Sequence, residues 1–314
     1  METFKNKLIP VIFGIKGYSL TKKEIDIIKN NRIFGFIFFK RNILNLCQFK
    51  NLIKHIKSLS QINPIFMIDH EGGRINRFAN LFDQHKYSAK YFGELYNKDK
   101  RKFITQTRYF INFNINIFKY LGINTIAYPV ADLTHEKTHN VIGDRSFSNN
   151  PIKVNKLSKF FIDQYQSKGI NCISKHVPGH GLSIIDSHYK LPIIQESYNY
   201  LKKKDFLCFK NLKSKYMMTA HIKYSSIDNR VATYSKKINS IIRNQLKFRG
   251  PIMTDDICMA ALCESLKYRT LQPLIAGYNI ILHCNGNINE MAKIVSIIKK
   301  WKNQKRQLMK LKQI

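Results

Sequence analysis

Residues 65–77 read Ile-Phe-Met-Ile-Asp-His-Glu-Gly-Gly-Arg-Ile-Asn-Arg. An apolar run without polar alternation fits a strand covered on both faces, as in parallel sheets. The run ends on Asp69, and Gly72 and Gly73 then permit a tight turn and close backbone approach. The same design recurs along the chain. Strands are predicted at Leu8–Phe13, Gly35–Phe39, Ile65–Asp69, Ile123–Val130, Cys172–His176, Tyr216–His221, Pro251–Asp255 and Asn279–Cys284. Helical stretches lie between them at Thr21–Asn30, Asn45–Ser60, Lys102–Leu121, Lys153–Lys168, Tyr198–Leu212 and Lys236–Lys247. Thr21 stands three residues before Glu24, a capping-box spacing, and Pro151 suits a first helical turn. Strands that each lead into a helix or long loop predict an α/β fold, a (β/α)8 TIM-type barrel. No Gly-, Ser- or Pro-rich linker divides residues 1–314, so one catalytic domain is expected.

In such a barrel the reactive groups sit at the carboxyl ends of the strands. The strand ends here supply Asp69-His70-Glu71, Asp132, Lys175-His176, His221 and Asp255-Asp256. Chance would scatter such groups over both ends. After the fifth strand, Lys175-His176-Val177-Pro178-Gly179-His180-Gly181 leads to Asp186-Ser187-His188. There Asp186 is placed to accept the imidazole N–H of His188 and fix its tautomer. Successive strand residues point to opposite faces, so only one of Asp255 and Asp256 is expected to face the pocket. Asp256 is read as a hydrogen-bond acceptor behind it, and His221 as lining the pocket without a chemical step.

Composition bounds the remaining classes. With 44% hydrophobic and 12% aromatic residues the chain can bury a large core. No apolar run is long enough to cross a bilayer, and no membrane partner is expected. The formal charge of +33 invites a nucleic-acid partner. Lysine is nevertheless spread along the whole chain among Ile, Asn, Phe and Tyr, and no nucleic-acid-binding motif accompanies it. No specific nucleic-acid role is expected. Six scattered cysteines without a CxxC pair suit a reducing compartment, so the cytoplasm is the expected location. His55, His85 and His283 are read as surface or packing histidines. The basic last fifteen residues, with Trp301, Lys302, Lys305, Arg306, Lys310 and Lys312, are read as a solvated terminal helix.

Six segments, in order, resemble the bacterial β-N-acetylhexosaminidases of glycoside hydrolase family 3, the single-domain enzymes of peptidoglycan recycling. They are IDHEGGRINRF (68–78), YPVADL (128–133), IGDRSFSNNP (142–151), KHVPGHG (175–181) with DSH (186–188) after it, MTAHI (218–222) and TDDICM (254–259). The resemblance runs from about Gly35 to about Asn285. It implies retaining hydrolysis of the GlcNAc-β-1,4-(anhydro)MurNAc bond in muropeptides, a small oligosaccharide substrate, and a place in cell-wall biogenesis. Asp255 matches the nucleophile, His188 the general acid/base and Asp186 its dyad partner. Asp69, Arg77, Arg145, Lys175 and His176 match residues that hold the sugar. No cofactor or metal is implied, and a monomer is expected. The family usually has Gln at the place of His70, Phe at Val177 and Ser at Cys258. Two other classes compete: a metal-dependent hydrolase built on His176, His180, Asp186 and His188, and a sugar-binding barrel without turnover. For the metal reading, the Pro-Gly turn between His176 and His180 is expected to direct those two rings apart.

Overall fold

A computed structural model describes the backbone of residues 8–311 and the side chains of residues 8–305. Eight parallel strands close into a barrel: β1 (Leu8–Gly14), β2 (Arg32–Phe38), β3 (Ile65–Ile68), β4 (Thr125–Ile126), β5 (Asn171–Val177), β7 (Tyr216–Thr219), β9 (Ile252–Asp256) and β10 (Ile280–His283). Two short strands outside the barrel, β6 (Ile193–Ile194) and β8 (Lys223–Tyr224), pair with each other. β1 pairs with both β2 and β10, which closes the ring.

Each expected strand is present, and the runs are apolar because both faces are covered. Ile12, Ile37, Met67, Ile173, Met218, Met253 and Leu282 fill the barrel interior. The outward side chains, such as Phe13, Phe36, Phe66 and Ile281, join the layer beneath the helices. The fourth strand is shorter than Ile123–Val130, since only Thr125 and Ile126 form the ladder and Val130 returns to it as a single bridge to Lys175. Pro129 supplies no N–H for a continuous ladder.

The helices are α1 (Lys22–Asn30), α2 (Leu46–Leu59), α3 (Ala89–Lys98), α4 (Lys100–Leu121), α5 (Pro151–Gln166), α6 (Tyr198–Lys203), α7 (Asp205–Phe209), α8 (Lys236–Asn244), α9 (Leu266–Ile275) and α10 (Ile288–Leu311). The Thr21–Glu24 capping box and Pro151 at the start of α5 are both present. Tyr198–Leu212 is divided at Lys204, where the backbone leaves the helical region and the buried Asp205 meets His135 at 3.0 Å. Two helices escaped the sequence reading. α3 contains Gly93, where a Cβ would stand 1.8 Å from the Phe147 carbonyl, so glycine lets the helix pack onto the loop that carries Arg145. α9 contains Pro273, which argues against a helix from sequence alone. The terminal helix starts earlier than expected, and Met291, Ile294, Val295 and Ile298 in its first half are buried. Within the basic segment expected to be solvated, Lys300, Asn303, Gln304 and Lys305 are exposed, while Trp301 is half-buried and Lys302 Nζ donates to the Leu8 carbonyl at 2.6 Å. Lys312 and the side chains of Arg306 and Lys310 lie outside the described residues. Among the described residues no helix is long and apolar enough to cross a membrane.

Candidate active site

The carboxyl ends of the strands open on a cavity of about 310 Å³. Asp69, Arg77, Arg145, Lys175, His176, His188 and Asp255 all line it. These residues come from the ends of β3, β5 and β9 and from the loops after β3, β4 and β5, as a barrel mouth requires.

One wall is a chain of alternating charge. Lys175 Nζ lies 2.6 Å from both Asp69 Oδ1 and Glu71 Oε1. Arg145 spans Glu71 with two bonds of 2.8 Å, and Arg77 pairs with Asp69. Burial alone would push both carboxyls up, but Lys175 and Arg77 hold Asp69, and Arg145 and Lys175 hold Glu71, below the usual carboxylate range. The turn that lets Asp69, Glu71 and Arg77 converge passes through Gly72 at φ +81°, a conformation that favours glycine. His70 braces this turn from behind. Its Nδ1 accepts the Arg77 N–H at 3.2 Å, so Nε2 carries the proton toward Gln84 Oε1 at 2.7 Å. Burial lowers the His70 pKa to about 4, so the ring is neutral at pH 7.

The second wall is organised by Asp132. This fully buried carboxylate meets His176 Nδ1 at 2.7 Å and accepts the backbone N–H groups of His176 at 3.2 Å and His180 at 2.7 Å. The other ring nitrogen of His176 lies 3.9 Å from Asp255 Oδ2. Burial raises the Asp255 pKa, but His176, His221 and the Asp256 N–H together hold it below its ordinary value. Asp255 is therefore an ionised carboxylate at neutral pH, aimed into the cavity.

His188 and Asp186 lie on the long loop after β5, with His188 Nδ1 2.7 Å from Asp186 Oδ1. The His188 side chain is 59% exposed at the mouth. Two backbone bonds tie this loop to the one following Asp255: Ala260 N–H donates to the His188 carbonyl and Ala261 N–H to the Ser187 carbonyl, both at 3.3 Å. Behind it, His180 Nε2 meets Ser187 Oγ at 3.0 Å. Burial lowers the His180 pKa to about 4.

Several expectations change. Asp256 also lines the cavity, although its Oδ1 accepts the N–H groups of Cys258 and Cys284, both at 3.0 Å, which matches the acceptor role expected of it. His221 does not line the cavity. It is fully buried, with Nε2 donating to the Asp256 carbonyl at 2.9 Å and Nδ1 2.6 Å from Thr233 Oγ1. The Pro-Gly turn does not separate His176 and His180, whose rings pack edge to face at 5.6 Å. Each histidine of the metal-hydrolase alternative is already engaged: His176 by Asp132, His180 by Ser187 and His188 by Asp186. Glu71 and Asp132 stand among the strand-end groups named from sequence, but neither they nor Ser187 could be given a role there, because their partners Arg145, His176 and His180 are distant in numbering or sit in another motif.

The chain matches the family described as "Glycosyl hydrolase family 3 N terminal domain" over residues 7–313. It is 32% identical over 282 residues to a beta-hexosaminidase of Nitrosomonas eutropha, covering 88% of this chain and 80% of that protein. Native NagZ from Neisseria gonorrhoeae superposes with a TM-score of 0.83 at 30% identity, covering 91% of this chain and 84% of that one. The same Neisseria protein in complex with N-trifluoroacetyl-D-glucosamine gives a TM-score of 0.82 at 30% identity, with 93% and 84% covered. A closed parallel barrel, a charged cavity at its carboxyl mouth and this near-complete match agree: the chain belongs to glycosyl hydrolase family 3.

Proposed function

We propose that this glycoside hydrolase is a retaining exo-β-N-acetylglucosaminidase that cleaves the GlcNAc-β-1,4-(anhydro)MurNAc bond of muropeptides. In this reading an Asp255 oxygen attacks the anomeric carbon while the bond to the departing sugar oxygen breaks. His188 gives that oxygen its proton. Water then attacks the same carbon, its proton passes to His188, and Asp255 leaves as a carboxylate. A retaining site places its two groups on opposite sides of the scissile bond. One observation carries the reading: His188 and Asp255 line the same cavity, with the His188 loop hydrogen-bonded to the segment just past Asp255.

The remaining residues fit supporting roles. Asp186 orients His188, and Asp132 orients His176 beside Asp255. Asp69, Arg77, Lys175 and Arg145 hold the sugar hydroxyls and acetamide. The beta-hexosaminidase relatives and the glucosamine-analogue complex of the Neisseria protein support the substrate class. We further propose a cytoplasmic monomer acting in peptidoglycan recycling, for which the six free cysteines suit a reducing compartment. Digestion of anhydro-muropeptides with and without phosphate tests the reading. It predicts free N-acetylglucosamine released first as the β-anomer, at a rate phosphate leaves unchanged. A phosphorylated sugar product would replace hydrolysis by phosphorolysis, and binding without any cleavage would favour the sugar-binding alternative.

A further inference from the structure

Behind the β9 end of the cavity wall, three residues of unlike chemistry converge that the hydrolytic reading does not use. Cys258 lies two residues past β9, His283 is the last residue of β10, and Glu290 lies in the first turn of α10. His283 Nε2 is 2.9 Å from Glu290 Oε2, and Cys258 Sγ is 4.0 Å from the same oxygen. One thiol, one imidazole nitrogen and one carboxylate oxygen all lie within 4.8 Å of one another. Among the described residues this is the one group of three or more such donors so placed.

We infer that Cys258, His283 and Glu290 form a zinc site, with water in the fourth position. A thiolate, an imidazole and a carboxylate are the ligand types zinc takes, and softer sulfur disfavours magnesium and calcium. Tetrahedral zinc at bonds of about 2.0–2.3 Å holds its ligand atoms about 3.3–3.6 Å apart. The His283–Glu290 pair must open and the Cys258–Glu290 pair must close, each by about half an ångström. Glu290 is part-exposed, which leaves a path for the ion and a place for the water. The other imidazole nitrogen of His283 is buried without a hydrogen-bond partner, so shifting the ring proton there to free Nε2 breaks no bond at that end. When zinc binds, the Nε2 proton that now faces Glu290 moves to Nδ1 and the thiol proton is released to solvent. Cys258 N–H and Cys284 N–H share Asp256 Oδ1, so a bound ion would fasten β9 to β10 and α10 just behind Asp255. The site is structural and stands independently of the hydrolytic reading.

The test uses the full chain stripped of metal by a chelator and titrated with cobalt(II) or zinc alone. Cobalt is expected to give a thiolate-to-metal charge-transfer band and intense tetrahedral visible bands. These should disappear in Cys258→Ser and persist in Cys263→Ser and in His188→Ala. Zinc should raise the melting temperature of the wild type and leave Cys258→Ser unmoved. Glu290→Gln, at a part-exposed position, should fold normally and bind zinc at least about tenfold more weakly, the loss that even an outer partner's removal causes. A charge-transfer band that survives Cys258→Ser, one lost with His188→Ala, or unchanged zinc affinity in Glu290→Gln would overturn the assignment.

Discussion

Glu71→Gln isolates what holds the charged wall together. Glu71 is the carboxylate that touches both Lys175 and Arg145, and the side chains of Glu71, Lys175 and Arg145 are 3%, 3% and 11% exposed. Glutamine keeps the shape, but it removes one charge and turns an N–H group toward a cation that needs an acceptor. Removing one partner from a buried ion pair costs about 3–5 kcal/mol, because the charge left behind is uncompensated; Lys175 keeps Asp69, so the loss falls on Arg145. Unfolding entropy of about 2.1 cal/mol/K per residue converts that cost, for 314 residues, into a melting-temperature fall of roughly 5–8 °C. The assay is thermal melting by circular dichroism at pH 7 together with KM for a chromogenic N-acetylglucosaminide. KM should rise, since Lys175 and Arg145 both line the cavity. The double variant Glu71→Gln/Arg145→Met removes the surplus cation, so it should be more stable than the sum of the single changes by about 2 kcal/mol. Glu71 is held below its ordinary pKa, so its contribution is full above about pH 4.3 and fades as pH falls below that. The gap between variant and wild type should narrow in acid. A melting-temperature change under about 1 °C, or strictly additive single changes, would refute the reasoning.

Three further outcomes follow from the same site. His188→Ala should cut kcat by about 10²–10⁴-fold for substrates with poor leaving groups and far less in the first step for good ones, which need little protonation; equal losses would contradict the acid role. Asp132→Asn removes a charged partner of His176, so kcat/KM should fall by roughly 10–100-fold. The loss should fall mainly on kcat, because His176 would no longer be oriented beside Asp255; a loss confined to KM would exclude this orienting role. His70→Gln addresses stability: the unfolded chain takes up a proton near pH 6.5 that native His70 refuses until about pH 4, so wild-type stability falls as pH drops through that window. Between pH 7 and pH 5 the variant should lose about 2 kcal/mol less than wild type in urea unfolding, and equal losses would show that His70 is not the group responsible.

The barrel was legible because its strands are short, mostly apolar and closed by polar residues. That pattern marked the mouth as well as the strands. Gly93 and Pro273 hid two helices, since a helix that must touch the Phe147 carbonyl needs glycine and α9 tolerates its proline. Residues that terminate strands or flank turns, such as Asp69, Lys175 and Asp255, announced themselves. Asp132 stood at a strand end too, yet nothing in its neighbourhood says that it meets His176 forty-four positions away. The Cys258–His283–Glu290 group was invisible for the same reason, since His283 alone reads as packing. His221 shows the opposite case: a polar residue that closes a strand reads as a pocket residue, yet it is buried against Thr233 and the Asp256 carbonyl.

The most direct test of the hydrolytic account is to trap the glycosyl-enzyme with an activated fluorinated N-acetylglucosaminide and locate the adduct by peptide mass spectrometry. The sugar is expected on Asp255, and Asp255→Asn is expected to form no adduct and to turn over about 10⁴-fold more slowly or worse. An adduct on Asp256, or full turnover without Asp255, would contradict it.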